Sequence, residues 1–507
     1  MCFICVRIRR LFFVKTEEKE SDTMTKRKRP DVPYKQYIIS LICMGIIAGG
    51  GAYKITEMRY DQERNQLATV MPHFDDMMKI NTTYETIRNS YVGKIKNEEL
   101  VDGAIKGMTQ ALNDPYSDYF SGKEFDELNE TISGSFAGIG AVMTVKDNNL
   151  VIAEPPVKNS PAEKALLKAE DIILKVNGKA TKGKELSEVV KEVRGEKGTK
   201  VKLTVQRGED IFDKSLVRDD IPVETVFGAI SKDNDKIGSI IISNFSERTA
   251  ADLKDQIEVL RKEGAQAFII DLRQNPGGLL DQVAEMSSMF LKDGKTIVQF
   301  EDKDGNKEAL KANKGVDKGF KVKEPVVVLV DEGSASASEI FAAALNESAG
   351  VPIIGTKTYG KGTVQTVQPL SEESELKLTT NKWLTPKGNW IHKKGLEPTI
   401  ATEYPDFAYL APIGRDMTYQ EGVTGKVMVN INGILAGIGY DVDAKSDKYD
   451  GQTKAAVSEH QAKFDLPVTG EIDNDTARSL EKELAKKIID NDETMTRALE
   501  EIVKKIN

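Results

Sequence analysis

The run Val326-Val-Val-Leu-Val330 constrains the fold more than any other feature of this chain. Five consecutive apolar residues without polar alternation read as a fully buried strand. The run stops at Asp331, passes through the small-residue loop Glu332-Gly-Ser-Ala-Ser-Ala-Ser338 and enters Glu339-Ile-Phe-Ala-Ala-Ala-Leu345, which reads as a helix. A serine at such a strand-to-helix turn exposes its hydroxyl beside backbone N–H groups that have no partner within the helix.

Three serines compete for that place, Ser334, Ser336 and Ser338, and spacing within the loop does not separate them. Each would need a base. The histidines are His73, His392 and His460, none near the loop in sequence. Lys361 lies in Thr358-Tyr-Gly-Lys-Gly-Thr-Val-Gln365, where glycines on both sides let the chain enter a crowded pocket. The pattern is that of a serine–lysine hydrolase. A lysine acts as a base only as the neutral amine, which burial away from carboxylates favours. The cysteines are Cys2, Cys5 and Cys43, so the main body has neither a disulfide staple nor a cysteine nucleophile. Histidine is too scarce for a zinc site of the usual kind, and neither metal nor cofactor is expected.

Residues 36–53 are uncharged between Lys35 and Lys54, and a transmembrane helix is expected over 37–53. The cluster Lys26-Arg-Lys-Arg29 keeps the basic segment 1–36 cytoplasmic and sends the body across the membrane to face the cell wall. Residues 38–48 also suit a signal-peptide core, with small residues from Ala48 to Ala52 for cleavage, and both readings stand. Met24, directly before the basic cluster, reads as the more natural start. Of the net charge of −9, residues 1–36 carry +5 and the remainder −14. An acidic exported body argues against a nucleic-acid partner.

The exported part divides by pattern. Residues 54–133 read as helical, with the stripe Met77, Ile80, Tyr84, Ile87 and Tyr91 suited to packing or to a homodimer contact. Residues 134–215 alternate short strands with two helices, the first opening on the capping box Ser160-Pro-Ala-Glu163. That order resembles a PDZ domain. The resemblance implies that the loop Gly138-Ile139-Gly140 offers backbone N–H groups to the terminal carboxylate of a peptide, which adds a strand to the sheet. Ala165-Leu-Leu-Lys-Ala-Glu-Asp171 departs from the family in having no glycine after the helix. Residues 216–410 alternate strands and helices, as in an α/β domain with a largely parallel sheet.

Asp271-Leu-Arg-Gln-Asn-Pro-Gly-Gly-Leu-Leu280, Gly333-Ser-Ala-Ser-Ala-Ser-Glu339 and Gly360-Lys-Gly-Thr-Val-Gln365 stand in one order. With Trp383-Leu-Thr-Pro-Lys-Gly388 and Ile391-His-Lys-Lys-Gly-Leu-Glu-Pro398 they resemble the carboxy-terminal processing peptidases, also called tail-specific proteases or family S41. The likeness covers roughly residues 75–405. It implies a nucleophile at the middle serine with a lysine 25 residues on, which selects Ser336 and Lys361. It further implies Gln365 as the residue that orients the lysine, and Gly278 and Ala337 as oxyanion donors. Asp271 and Arg273 read as a strand-end ion pair, and His392 as structural.

Residues 415–482 resemble a small helical peptidoglycan-binding domain, with His460-Gln461 where that family commonly has Phe-Gln. Residues 483–507 read as a charged helix or a frayed tail. The whole chain is thus expected to be multidomain, α+β and α/β, with an all-helical C-terminal domain. The expected function is an extracytoplasmic serine endopeptidase cutting proteins at or near accessible C-termini. The alternatives are an inactive scaffold binding PDZ ligands and cell wall, and acyl chemistry on another substrate class.

Overall fold

The computed structural model describes Lys54 and residues 73–146, 149–415 and 417–506. The expected basic segment and transmembrane helix lie outside these residues. Among the described residues no helix is long and apolar enough to cross a membrane. The described residues fall into two compact units, divided between Leu100 and Val101.

In the first unit the helix Phe74–Ser90 buries none of its residues. Met77, Ile80 and Tyr91 of its apolar stripe are exposed, and Tyr84 and Ile87 are half-buried.

The second unit corrects the expectation that everything before residue 134 is helical. Pro115 follows the helix Asn97–Gln110, and Asp118–Ser121 forms a strand paired antiparallel with Ser374–Leu384. The aromatic pair explains the switch. Tyr119 turns inward, 3% exposed, and donates its hydroxyl to Asp102, while Phe120 faces the other way, as strand alternation requires. The helix Lys123–Ser133 follows.

Six strands of the next region pair in one sheet: Met143–Lys146, Asn149–Ile152, Ile172–Val176, Lys179–Ala180, Lys200–Arg207 and Asp210–Val217. The helix Leu186–Val193 packs its Val189 and Val193 into their core. Pro161–Lys164 is a single helical turn, capped by Ser160 accepting from Glu163 N–H. The missing glycines are replaced at a conformational cost. Leu166 (φ 62°) and Glu170 (φ 67°) adopt the left-handed backbone that glycine would take freely. Ser135–Gly138 pairs with Asp219–Pro222 in a separate two-stranded ribbon at the entry and exit of this domain.

The largest core is a six-stranded sheet in the order 226–230, 237–242, 267–271, 326–330, 353–355, 400–401. All its pairings are parallel except the first. Phe268, Ile270, Val326, Val328 and Val330 face the helices Thr249–Lys262, Leu280–Phe290 and Ala337–Ala349. The alternate residues Ala267, Ile269, Val327 and Leu329 face the helix Glu493–Ile506. Both faces are covered, which is why the strand Val326–Val330 needs no polar alternation.

That second cover corrects the expected charged tail. The helix Asn474–Asp490 runs through residue 483, and Glu493–Ile506 belongs to the sheet, with Ala498 and Ile502 fully buried. Its Met495, Ala498, Leu499, Ile502 and Ile506 form an amphipathic stripe that charged neighbours mask in composition. The helices Lys426–Gly437, Gly451–Lys463 and Asn474–Asp490 enclose their own small core around Ile431, Ile434, Val457 and Leu480.

Candidate active site

The strand Val326–Val330 delivers the chain to a turn whose three serines have different surroundings. Ser334 Oγ donates to Leu272 O and accepts from Asp331 N–H. Ser338 Oγ donates to Asn275 O. Both are fully buried and tie the turn to the neighbouring loop 272–278. Ser336 has backbone φ 54° and ψ −112°, a strained conformation for a residue with a Cβ. Its hydroxyl lines a cleft of about 380 Å³ together with Gly278, Ala337, Lys361 and Gln365. The structure thus brings every expected residue of the site to one place.

The loop 272–278 is fixed against the turn. Asn275 donates Nδ2 to Ile242 O, and its carbonyl accepts from Ala335 N–H. Gly277 (φ 101°) fits so closely that a Cβ there would stand 2.8 Å from Ala337 N. A Cβ on Gly278 (φ 150°) would meet Phe245 O at 2.2 Å. Neither Gly278 N–H nor Ala337 N–H has a partner among the described residues. Ala337 is also the first residue of the helix Ala337–Ala349, whose N-terminus favours negative charge.

Lys361 enters from the opposite wall. Glycines flank it because its neighbours are crowded: a Cβ on Gly360 would lie 2.7 Å from Gly395 N, and one on Gly362 2.8 Å from His392 N. Its Nζ stands 4.9 Å from the centroid of the Tyr116 ring. Burial pushes the Lys361 ammonium below the ordinary lysine range, and the charge of Lys377 acts in the same direction. Asp114 and Glu339 oppose both. Burial likewise pushes the Tyr116 hydroxyl up to about 12.

Gln365 departs from the expected contact. Its Nε2 donates to Thr363 Oγ1 (3.1 Å) and Thr379 Oγ1 (3.0 Å), and it makes no hydrogen bond to Lys361. With both amide protons committed to the threonines, its carbonyl oxygen is the group left to accept from an amine.

Two contributors were not singled out as site residues in the sequence. Glu339 is fully buried, and its carboxylate accepts from Ser336 N–H, Gly360 N–H, Lys361 N–H and the Thr358 hydroxyl. One side chain therefore joins the serine turn to the lysine loop. Burial raises its carboxyl, while these donors hold it down. The period-3.6 pattern marks Glu339 only as the start of a helix. Tyr116 follows the Asn113-Asp-Pro115 helix stop, and nothing in that stop announces a ring beside Lys361.

His392 Nδ1 accepts from Gly362 N–H at 3.3 Å, and its ring stacks on Trp390. Asp271 forms a bidentate pair with Arg273, which also reaches Asp492, 2.8 Å away, just before the C-terminal helix. In the small helical domain His460 is a core residue, fully buried between Tyr440 and Ser479, and burial lowers its imidazole to about 4. Gln461 is spent on Thr469, Gly470, Glu471 and Thr476. In the loop ahead of the strand Met143–Lys146, the carbonyls of Ile139 and Gly140 accept from Ala162 and Val157 N–H. Gly138, Ile139 and Gly140 are all buried.

Residues 236–402 match the family described as Peptidase family S41, and residues 152–207 match a PDZ domain. Residues 45–124 match the activating protease CtpB N-terminal domain, and residues 424–480 a putative peptidoglycan binding domain. The chain is 48% identical to the carboxy-terminal processing protease CtpA of Bacillus subtilis, over 84% of this chain and 90% of that protein. It is 34% identical to a probable CtpA-like serine protease of Staphylococcus haemolyticus, over 98% of this chain and all of that protein. Among solved structures, the photosystem II D1 C-terminal processing protease is 28% identical, covering 63% of this chain and 85% of that one, with a TM-score of 0.37.

Proposed function

The chain belongs to the S41 carboxy-terminal processing proteases and is a serine-type peptidase, and from that premise we propose that Ser336 and Lys361 are its catalytic pair. Ser336 attacks the peptide carbonyl as Lys361 takes its proton; Gly278 and Ala337 N–H hold the oxyanion. Lys361 then returns the proton to the leaving amine, and water releases the acyl-enzyme. Gln365, anchored by two threonines, accepts from the amine without holding it charged as a carboxylate would.

One observation carries this reading. Of three serines on the turn, two are consumed by the scaffold, and Ser336 alone faces the cleft that Lys361 enters.

The PDZ domain captures the carboxyl terminus of the substrate through the loop at Gly138, Ile139 and Gly140. The apolar segment 37–53 anchors the chain with its body outside the cytoplasm, where the C-terminal domain meets peptidoglycan. The stripe of the helix Phe74–Ser90 is the surface offered to a second copy.

Digestion of an unfolded protein by the purified ectodomain tests the catalytic pair. Ser336→Ala and Lys361→Ala should each abolish cleavage, and full activity in either variant would refute the pairing. Retention on purified cell walls, compared with vesicles, separates the envelope assignments from the chemistry.

A further inference from the structure

The cleft holds a second lysine that the proton transfer above does not use. Lys377 lies on the strand Ser374–Leu384 opposite Val367, two residues from Thr379, which Gln365 contacts. Residues opposite each other in an antiparallel pair share a face. Val367 and Gln365 both line the cleft, and so does Lys377. Its Nζ stands 4.7 Å from the centroid of Phe120, as that of Lys361 stands 4.9 Å from Tyr116. Two ammonium groups therefore share one partly desolvated cleft, each resting on an aromatic ring from the same short segment. Neither forms an ion pair among the described residues.

Resting on the serine–lysine reading, the geometry points to Lys377 as a positioning residue that acts through charge. Its ammonium, in the same cleft as Lys361, favours loss of the proton from Lys361 and so the neutral amine that serves as base. Two like charges in a desolvated site disfavour each other. The surrounding groups fit this assignment. Asp114 and Glu339 face Lys361 and favour its charged form, and the charge of Lys377 acts against both. Tyr116 stays neutral through the working range. Around Lys377, Asp118 across the strand pair accepts from Tyr119 N–H, and burial raises the carboxyl of Glu375.

The test is the pH profile of kcat/KM on a fluorescence-quenched peptide for wild type, Lys377→Met and Lys377→Arg, with Ser336→Ala as the blank. Lys377→Met should shift the acid limb to higher pH, lowering kcat/KM about 3- to 10-fold near pH 6.5, with the gap closing as pH rises. Lys377→Arg keeps the charge and should follow wild type. A Lys377→Met profile parallel to wild type, equal or uniformly lowered, would overturn the inference. So would an arginine variant that shares the methionine shift. Activity surviving in Ser336→Ala would instead refute the serine–lysine reading, and this inference with it.

Discussion

Lys361 Nζ lies over the face of Tyr116, 4.9 Å from the ring centroid, on a segment more than 240 residues earlier in the chain. The ring gives the lysine a partner that orients it without the full counter-charge of a carboxylate. Tyr116→Phe keeps that face and should stay within about twofold of wild-type kcat/KM. Tyr116→Ala should lose about tenfold, equivalent to one such contact of about 1–2 kcal/mol. Steady-state kinetics on a single peptide checks both.

Gly278 offers a sharper test of the proposed oxyanion donors. A Cβ on Gly278 would meet Phe245 O at 2.2 Å, so alanine there must displace the loop and its N–H. Gly278→Ala should lower kcat by about 100-fold or more with smaller changes in KM, the signature of a contact made in the transition state. Unfolding monitored in parallel should show the core still folded.

The C-terminal helix is as much a part of the peptidase as any core strand. Ile502 is fully buried against Ile237, Ile269, Val327, Leu329 and Ile354. Ile502→Ala should destabilise the fold by about 2–5 kcal/mol. Ile502→Asp should leave the protein insoluble. Chemical denaturation measures the first and expression in the soluble fraction the second.

Acid should weaken the small helical domain through His460. Its imidazole is neutral and buried, with the folded value near 4 against 6.5 when unfolded. The folded value is depressed, so this stability is fully present above about pH 6.5 and is lost as pH falls toward 4. The loss reaches about 3 kcal/mol. His460→Phe removes the titration, and its melting temperature should depend less on pH over that window.

What the sequence revealed depended on how local the signal was. The run Val326–Val330 and the strand-to-helix turn could be read directly, since continuous apolarity and small residues are local consequences of burial and tight turning. The separation of Ser336 from Ser334 and Ser338 could not, because it rests on acceptors at Leu272 and Asn275, about 60 residues away. Glu339 stayed hidden for the same reason: a carboxylate in a first helical turn is ordinary until its four donors are seen converging from two loops. The helix Glu493–Ile506 was masked by the charges on its outer face. Tyr119 and Phe120 made a strand where helix was expected, because their partner strand begins only at Ser374.

The most direct measurement is peptide mapping by mass spectrometry after reaction with an acylating peptide ester, with fragmentation to place the adduct within Asp331–Phe341. One acyl group is expected on Ser336, absent in Lys361→Ala. An adduct on Ser334 or Ser338, or labelling of Ser336 undiminished in Lys361→Ala, would contradict it.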